Sequence, residues 1–117
     1  IEVLHARAED LGHNRDYRFN FDYVTSRAVA PLNILLEYTV PFCKDKGKIL
    51  LYKGPSYQEE LKDAQNAIKK LNLIYKGEHR LDIPFLEGSR YILEFGRQEQ
   101  LSDNYPRRAG IPKKRPL

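Results

Sequence analysis

Methionine is absent from this sequence, and cysteine occurs only once, at Cys43, among 117 residues. A translated chain begins with methionine, whereas this one begins with Ile1 in an apolar segment, so we expect it to be part of a longer protein. A single cysteine cannot form an internal disulfide or a thiolate metal site, which excludes a disulfide-stabilised scaffold. Because Cys43 lies in an apolar stretch with helical spacing, we expect a buried thiol in a reducing cytoplasm.

Long apolar runs and a secretory leader are missing as well. A membrane-spanning helix needs a run of about 18 or more apolar residues, and a signal peptide needs a charged segment followed by an apolar one. The sequence therefore predicts a soluble protein the size of one domain, in which 41% hydrophobic residues suffice for a core.

Metal-binding and hydrolase motifs have little support in the sequence. His5, His13 and His79 do not have the spacing of metal ligands, and no Ser, His and Asp residues form a recognisable catalytic pattern. We therefore predict no metal site and interpret the histidines as structural or solvent-facing.

Acidic residues are absent from the end of the chain, residues 105–117, which is strongly basic and which we call the tail. The whole chain has 20 Lys plus Arg against 16 Asp plus Glu, and five of these cations lie in the tail. The rest of the chain is therefore nearly neutral. Three prolines and a glycine predict a tail without helix or strand, extended over the surface of a body at 1–104. We expect the tail to bind the phosphate backbone of a nucleic acid. The alternative is a solvated tail that only aids solubility. Its cations are Arg107, Arg108, Lys113, Lys114 and Arg115.

Hydrophobic spacing predicts five strands and two helices in the order β, β, α, β, α, β, β. The first helix starts at Pro31 and is kinked or ended early by Pro41, and the second runs from a capping box at Ser56 and Glu59 to about Asn72. Residues 44–47 are predicted to be a polar turn. The predicted strands are 3–6, 21–25, 48–53, 73–83 and 89–97.

Alternation of strands with helices predicts an α/β fold with a mostly parallel sheet that ends in an antiparallel hairpin. The continuous apolar run at 48–53 is typical of a central parallel strand covered on both faces. Alternating aromatic residues before and within the second strand are interpreted as core, with a base-stacking platform as the alternative. They are Tyr17, Phe19, Phe21 and Tyr23.

Charged residues follow three of the predicted strands. Glu9 and Arg27 come just after a strand, and Lys53 is the polar end of one, at the edge where open α/β sheets bind their ligands. Taken singly, Glu9 is typical of a helix start, and Arg27 is equally consistent with an ion pair. These positions are candidate ligand contacts.

In their order along the chain, these motifs resemble the bacterial 16S rRNA guanine-N7 methyltransferase family, also called glucose-inhibited division protein B. The resemblance rests on Arg7-Ala8-Glu9, Ser26-Arg27-Ala28-Val29-Ala30, Lys53-Gly54, Glu59-Glu60 and the whole tail. It covers only the carboxyl half of that family. It implies a partial Rossmann-like class I methyltransferase sheet, whose glycine-rich loop and acidic ribose contact have no counterpart here.

The resemblance also implies a cofactor, S-adenosyl-L-methionine, and a partner, the 16S rRNA of the small ribosomal subunit. It implies that Ala8 and Glu9 contact the adenine end of the cofactor and that Arg27 lies near the reacting centre. We add Lys53 as a candidate contact to the guanine. Guanine N7 already has an exposed lone pair, so catalysis requires alignment and no general base.

Two other interpretations of the sequence stay open. The chain is consistent with a non-catalytic, basic RNA-binding α/β module, which the tail and the missing glycine-rich loop favour. It is also consistent with a structural fragment that self-associates by exchanging an exposed strand.

Overall fold

A computed structural model describes residues 2–27, 30–82, 84, 88–98 and 100–117 of the chain. Ala28 and Val29 of the motif at 26–30, and residues 83 and 85–87 near the predicted hairpin connection, lie outside the described residues. Four strands, five short helices and a 3-10 turn make up the described structure. They are α1 Ala8–Leu11, β1 Phe21–Ser26, α2 Leu32–Thr39, the 3-10 turn Val40–Phe42, β2 Cys43–Lys53, α3 Tyr57–Asp63, α4 Gln65–Lys70, β3 Leu73–Leu81, β4 Arg90–Arg97 and α5 Ile111–Lys114.

The four strands form one mixed sheet in the order β1-β2-β4-β3. β1 and β2 are parallel, whereas β4 is antiparallel to both β2 and β3. The α/β fold and the closing hairpin are therefore confirmed, but the prediction of a mostly parallel sheet is wrong for this chain. The reason is that the hairpin places β4 directly beside β2, and the remaining predicted strand does not join the sheet.

That remaining segment, residues 3–6, has no strand structure. Val3 is 88% exposed and Leu4 is 45% exposed. The prediction of a strand here is wrong because β-forming side chains alone do not make a strand; the backbone also needs a neighbouring strand as hydrogen-bond partner.

The core lies between the sheet and the helices α2, α3 and α4. α2 ends at Thr39 and passes into the 3-10 turn that contains Pro41, which confirms that this proline ends the helix. Cys43 is the first residue of β2 and is not helical, but it is buried and free as predicted. Burial raises the pKa of its thiol. The core side chains include Leu32, Leu35, Leu36, Ile49, Leu51, Leu71, Leu93 and Phe95.

β2 differs from its prediction in length and in coverage. Residues 44–47, predicted as a turn, belong to the strand, and a bulge with Lys46 at φ 66° lies within them. A Cβ atom on Gly47 would lie 2.9 Å from the backbone oxygen of Asp22, so only glycine allows β1 to approach there. Ile49 is buried whereas Tyr52 is 41% exposed, and the helices thus cover only one face of this strand.

The second predicted helix is divided at Ala64 into α3 and α4. Ser56 precedes α3 as predicted, but its side chain makes no capping hydrogen bond, so the predicted capping box does not form. Ala64 and Leu71 on the predicted apolar face are fully buried. The helical segment and its buried face are therefore confirmed, and the continuous helix is not.

The tail contains a short helix, α5, which contradicts the prediction of a tail without helix or strand. Pro112 lies in the first turn of α5, where a missing N–H removes no intrahelical bond, and Gly110 precedes the helix at φ 89°. Pro106 and Pro112 are buried against the body. The division into a body at 1–104 and a tail at 105–117 stays a prediction. Within the described residues, no helix is long and apolar enough to cross a membrane.

Candidate functional site

Glu9 lies in the first turn of α1 and is only 4% exposed. Its Oε2 accepts a hydrogen bond from the backbone N–H of Gly110 at 2.8 Å and lies 3.4 Å from Nη2 of Arg7. Burial acts to raise the pKa of Glu9, but the backbone hydrogen bonds and Arg7 outweigh it, so the pKa lies below its ordinary value. The carboxylate is therefore held in its charged form, and it links α1 to the tail. Ala8, its neighbour, is half-buried.

Arg27 comes directly after β1 and is exposed. Its guanidinium carbon lies 5.9 Å from the ring centroid of Tyr52, which is within the range of a cation–π contact. Tyr52 belongs to the sheet face that the helices leave open, so Arg27 is available to a ligand on that side.

Lys53 ends β2 on the opposite, helix-covered face, and its side chain is 7% exposed. Its Nζ donates to the backbone oxygen of Ala30 at 2.7 Å and to Oε1 of Glu60 at 2.8 Å. The same carboxylate oxygen accepts from the backbone N–H of Leu32, the first residue of α2, at 3.1 Å. Lys53 and Glu60 therefore fix the start of α2 to β2 and α3.

The parallel pairing of β1 and β2 brings Arg27 and Lys53 to the same end of the sheet, but on its two different faces. Glu9 lies elsewhere, on α1. Among the residues that the structure describes, no hydrogen bond or ion pair joins Glu9 to either cation. The three candidate residues thus do not form one contact cluster within this chain.

The tail cations divide into one anchored residue and several exposed ones. Arg107 binds the carboxylate of Glu37, a fully buried residue of α2: its backbone N–H donates to Oε2 at 2.7 Å, its Nε to Oε2 at 3.0 Å and its Nη2 to Oε1 at 2.9 Å. The hydrogen bonds from Arg107 to Glu37 raise the pKa of Arg107. The pair fixes the tail to the core. The other tail cations, Arg108, Lys113, Lys114 and Arg115, are exposed.

Further contacts attach the first part of the tail to the loop after α1. Nη1 of Arg18 donates to the backbone oxygens of Gly12 at 2.7 Å and Tyr105 at 2.8 Å. Nε2 of His13 lies 2.6 Å from the backbone oxygen of Pro106, and since a carbonyl only accepts, this nitrogen carries the proton.

Sequence reasoning missed Glu37, Arg18 and His13 as anchors of the tail. Glu37 could have been found from the sequence, because it is a carboxylate among the apolar residues of α2 and therefore needs a buried partner. Arg18 and His13 could not, because their partners are backbone oxygens far along the chain.

The aromatic residues interpreted as core are in part exposed. Phe21 is 43% and Tyr23 is 64% exposed, so the interpretation is wrong for these two, whereas Phe19 packs against the core. Phe21 and Tyr23 of β1 line a cleft of about 430 Å³ together with Leu4 and Phe42. The base-stacking alternative stays a hypothesis. No group of metal-ligating side chains occurs in the described part of the chain.

Comparison with known proteins connects these features to one family. Residues 1–89 match the GidB family model, described as rRNA small subunit methyltransferase G. Proteins named ribosomal RNA small subunit methyltransferase G are 44% identical in Alkaliphilus oremlandii, 41% in Desulforamulus reducens and 45% in Thermotoga petrophila, each over all 117 residues. The chain spans about half the length of these relatives, namely 49%, 49% and 50%. By this match along its entire length, the chain belongs to the rRNA small subunit methyltransferase G family.

Proposed function

We propose that this chain is the carboxyl-terminal part of an S-adenosylmethionine-dependent enzyme that methylates guanine N7 in the 16S rRNA of the small ribosomal subunit. The observation that carries the proposal is the similarity of all 117 residues to proteins named as rRNA methyltransferases. The mixed sheet is compatible with one side of a Rossmann-like class I methyltransferase sheet. The β1 edge is where its other strands would pair.

The proposed cofactor contacts are Ala8, Glu9 and Arg27. The donor set fits the cofactor, because a charged carboxylate accepts from an adenine amine or a ribose hydroxyl and a guanidinium binds a carboxylate. When bound, S-adenosylmethionine supplies an electrophilic methyl group. Glu9 is held charged by Gly110 and Arg7, and two carboxylate oxygens retain acceptor capacity beyond these contacts.

Lys53 stays our candidate for the guanine contact. An ammonium has three donors, and Ala30 and Glu60 accept two of the three. The remaining N–H is what Lys53 can offer to guanine O6, an interaction that would orient the ring and leave N7 free for methyl transfer.

The exposed tail cations are proposed to bind the rRNA phosphates. The sequence predicts the same role for Arg107, which is paired with Glu37 in the structure. Phosphate contacts supply affinity without base specificity and position the enzyme on its substrate. An enzyme of this kind works in the cytoplasm, where the ribosomal subunits are. Because the glycine-rich loop of the family has no counterpart in this chain, we expect the isolated chain to be inactive and to bind the cofactor weakly.

Methyl transfer to small ribosomal subunits by a full-length protein that contains this chain tests the proposal. Arg27→Ala should lower the rate per folded molecule by about 10- to 100-fold, since the exposed arginine supports alignment more than stability. The thermal midpoint is the control for folding. Full activity of Arg27→Ala would remove Arg27 from the site, and absence of transfer by the unaltered protein would favour the non-catalytic RNA-binding module.

A further inference from the structure

Arg107 differs from the other tail cations in being already paired. Three nitrogens of Arg107 donate within the chain: the backbone N–H and Nε donate to Glu37, and Nη2 donates to Glu37 and to the backbone oxygen of Arg115, the latter at 2.7 Å. A phosphate would have to compete with a buried carboxylate for this guanidinium. Arg107 is thus poorly placed to bind RNA and well placed to hold the tail.

Burying this ion pair carries a desolvation cost, which suggests that the pair has a role other than stability. Glu37 is fully buried in the last turn of α2, where an apolar side chain would pack without a desolvation penalty. The fork of Arg107 matches its carboxylate in a planar, two-pronged arrangement that fixes direction as well as distance. A buried pair of this geometry fixes the orientation of the segment that follows it.

The segment that follows is ordered by further contacts. The N–H of Gly110 binds Glu9, Pro112 is buried, and the terminal backbone oxygen of Leu117 accepts from Nδ2 of Asn66 at 3.3 Å. Between these anchors, Arg108, Lys113 and Lys114 are exposed, and within the described residues no ion pair occupies them.

We propose that Glu37 is a positioning residue for RNA recognition. It docks Arg107, and through Arg107 it presents Arg108, Lys113 and Lys114 as a preformed basic patch to the phosphates of the RNA. Because the docked tail is already ordered, RNA binding does not have to meet the cost of ordering it. This inference rests on the proposed function, because it assumes that the tail meets RNA.

Glu37→Gln makes a sharp test, because charge and positioning predict opposite results. The variant removes a negative charge, so electrostatics alone would leave RNA affinity equal or increase it. Positioning predicts a loss of about three- to tenfold, because the tail must be ordered on binding. Asp45→Asn, which removes an exposed carboxylate, is the matched control and should not weaken binding.

Arg107→Lys is the second variant, and it keeps the net charge while losing the planar fork. If Arg107 is an anchor, this variant should also bind a 16S rRNA fragment about three- to tenfold more weakly, with an unchanged salt dependence. The binding is measured with the full-length protein containing this chain, over a series of salt concentrations, and corrected for the folded fraction. If Glu37→Gln does not fold, the RNA affinity of Arg107→Lys alone tests the positioning role.

The outcomes are distinguishable. Weaker binding by the folded variants, with the salt slope of the unaltered protein, supports the inference. Unchanged binding by both folded variants would overturn it and leave the proposed function standing. A failure of the unaltered protein to bind the RNA fragment would overturn the proposed function and the inference together.

Discussion

Glu37 and Lys53 each carry a charge into the interior of this small domain, and each meets a partner there. The Glu37 carboxylate receives Arg107, and the Lys53 ammonium receives Glu60 and the backbone oxygen of Ala30. A buried charge that loses its partner costs much more than the pair contributes while it is intact. We therefore expect substitutions at these residues to change stability in addition to the proposed functions.

Lys53→Met should lower the free energy of unfolding by about 1–3 kcal/mol, because the backbone oxygen of Ala30 loses its donor and Glu60 its cation. Urea unfolding measures the difference. Lys62→Met, a change at an exposed position of α3, is the control and should have little effect. Equal midpoints for Lys53→Met and the unaltered chain would show that the contact contributes nothing to stability.

Glu9 makes the stability of the chain depend on pH. Its pKa is below the ordinary value of 4.5, so the folded state is favoured by the charged carboxylate at pH values above that value. This contribution should be lost as the pH falls through the lowered pKa of the folded state.

The measurement is the difference in the free energy of unfolding between the unaltered chain and Glu9→Gln, followed from pH 7 downward. We expect the difference to shrink in acid, since protonation removes the acceptor that Gly110 and Arg7 use. A difference that does not change with pH would mean that Glu9 keeps its ordinary pKa in the folded chain.

At the scale of elements, the tail is the segment whose structure changes the expectation most. It was predicted to lie extended, and instead it is anchored to α1 by Glu9, to α2 by Glu37 and to the loop after α1 by Arg18. A tail attached at several points should stabilise the body, in addition to the RNA binding that we propose for it.

Two truncations separate these roles. Removal of residues 107–117 leaves the Glu37 carboxylate buried without a partner and should destabilise the fold by about 3–5 kcal/mol. Truncation after Arg108 keeps the pair and should cost clearly less. Thermal or urea unfolding of the two shortened chains makes the comparison, and equal stability would contradict the anchoring role of Arg107.

Both truncations should weaken RNA binding, because both remove the exposed cations Lys113, Lys114 and Arg115. The salt dependence should flatten by about 0.7 to 0.9 logarithmic units for each phosphate that the shortened tail no longer binds. An unchanged salt slope would show that the tail touches no phosphate.

At the scale of the whole molecule, β1 is an edge strand that pairs only with β2 among the described strands, and it lies next to exposed apolar surface. Val3, Leu4, Phe21 and Tyr23 are all exposed on or near this edge. Unpaired backbone groups beside apolar side chains favour pairing with another strand.

The isolated chain should therefore self-associate, either through the β1 edge or by exchange of the segment 3–6. Sedimentation at several protein concentrations measures this. Tyr23→Lys, which places a charge on the edge strand, should shift the distribution toward monomer. If the unaltered chain is strictly monomeric, the β1 edge does not drive association.

Features that depend on near neighbours along the chain could be predicted from the sequence alone. Spacing and backbone chemistry indicated the hairpin, the buried face of α3 and α4, and the end of α2 shortly before Pro41. The ordered motifs at Arg7-Ala8-Glu9 and in the tail also indicated the family, which the comparisons confirm.

Features that depend on distant partners were set by the tertiary structure. Residues 3–6 are not a strand because none of the described strands pairs with them, and Arg107 is anchored because Glu37 lies 70 residues away in sequence and 2.9 Å away in space. Arg27 follows β1 and Lys53 ends β2, but the alternation of the sheet puts their side chains on its two faces. Local spacing cannot predict such contacts, because the packing of distant segments determines which residues become partners.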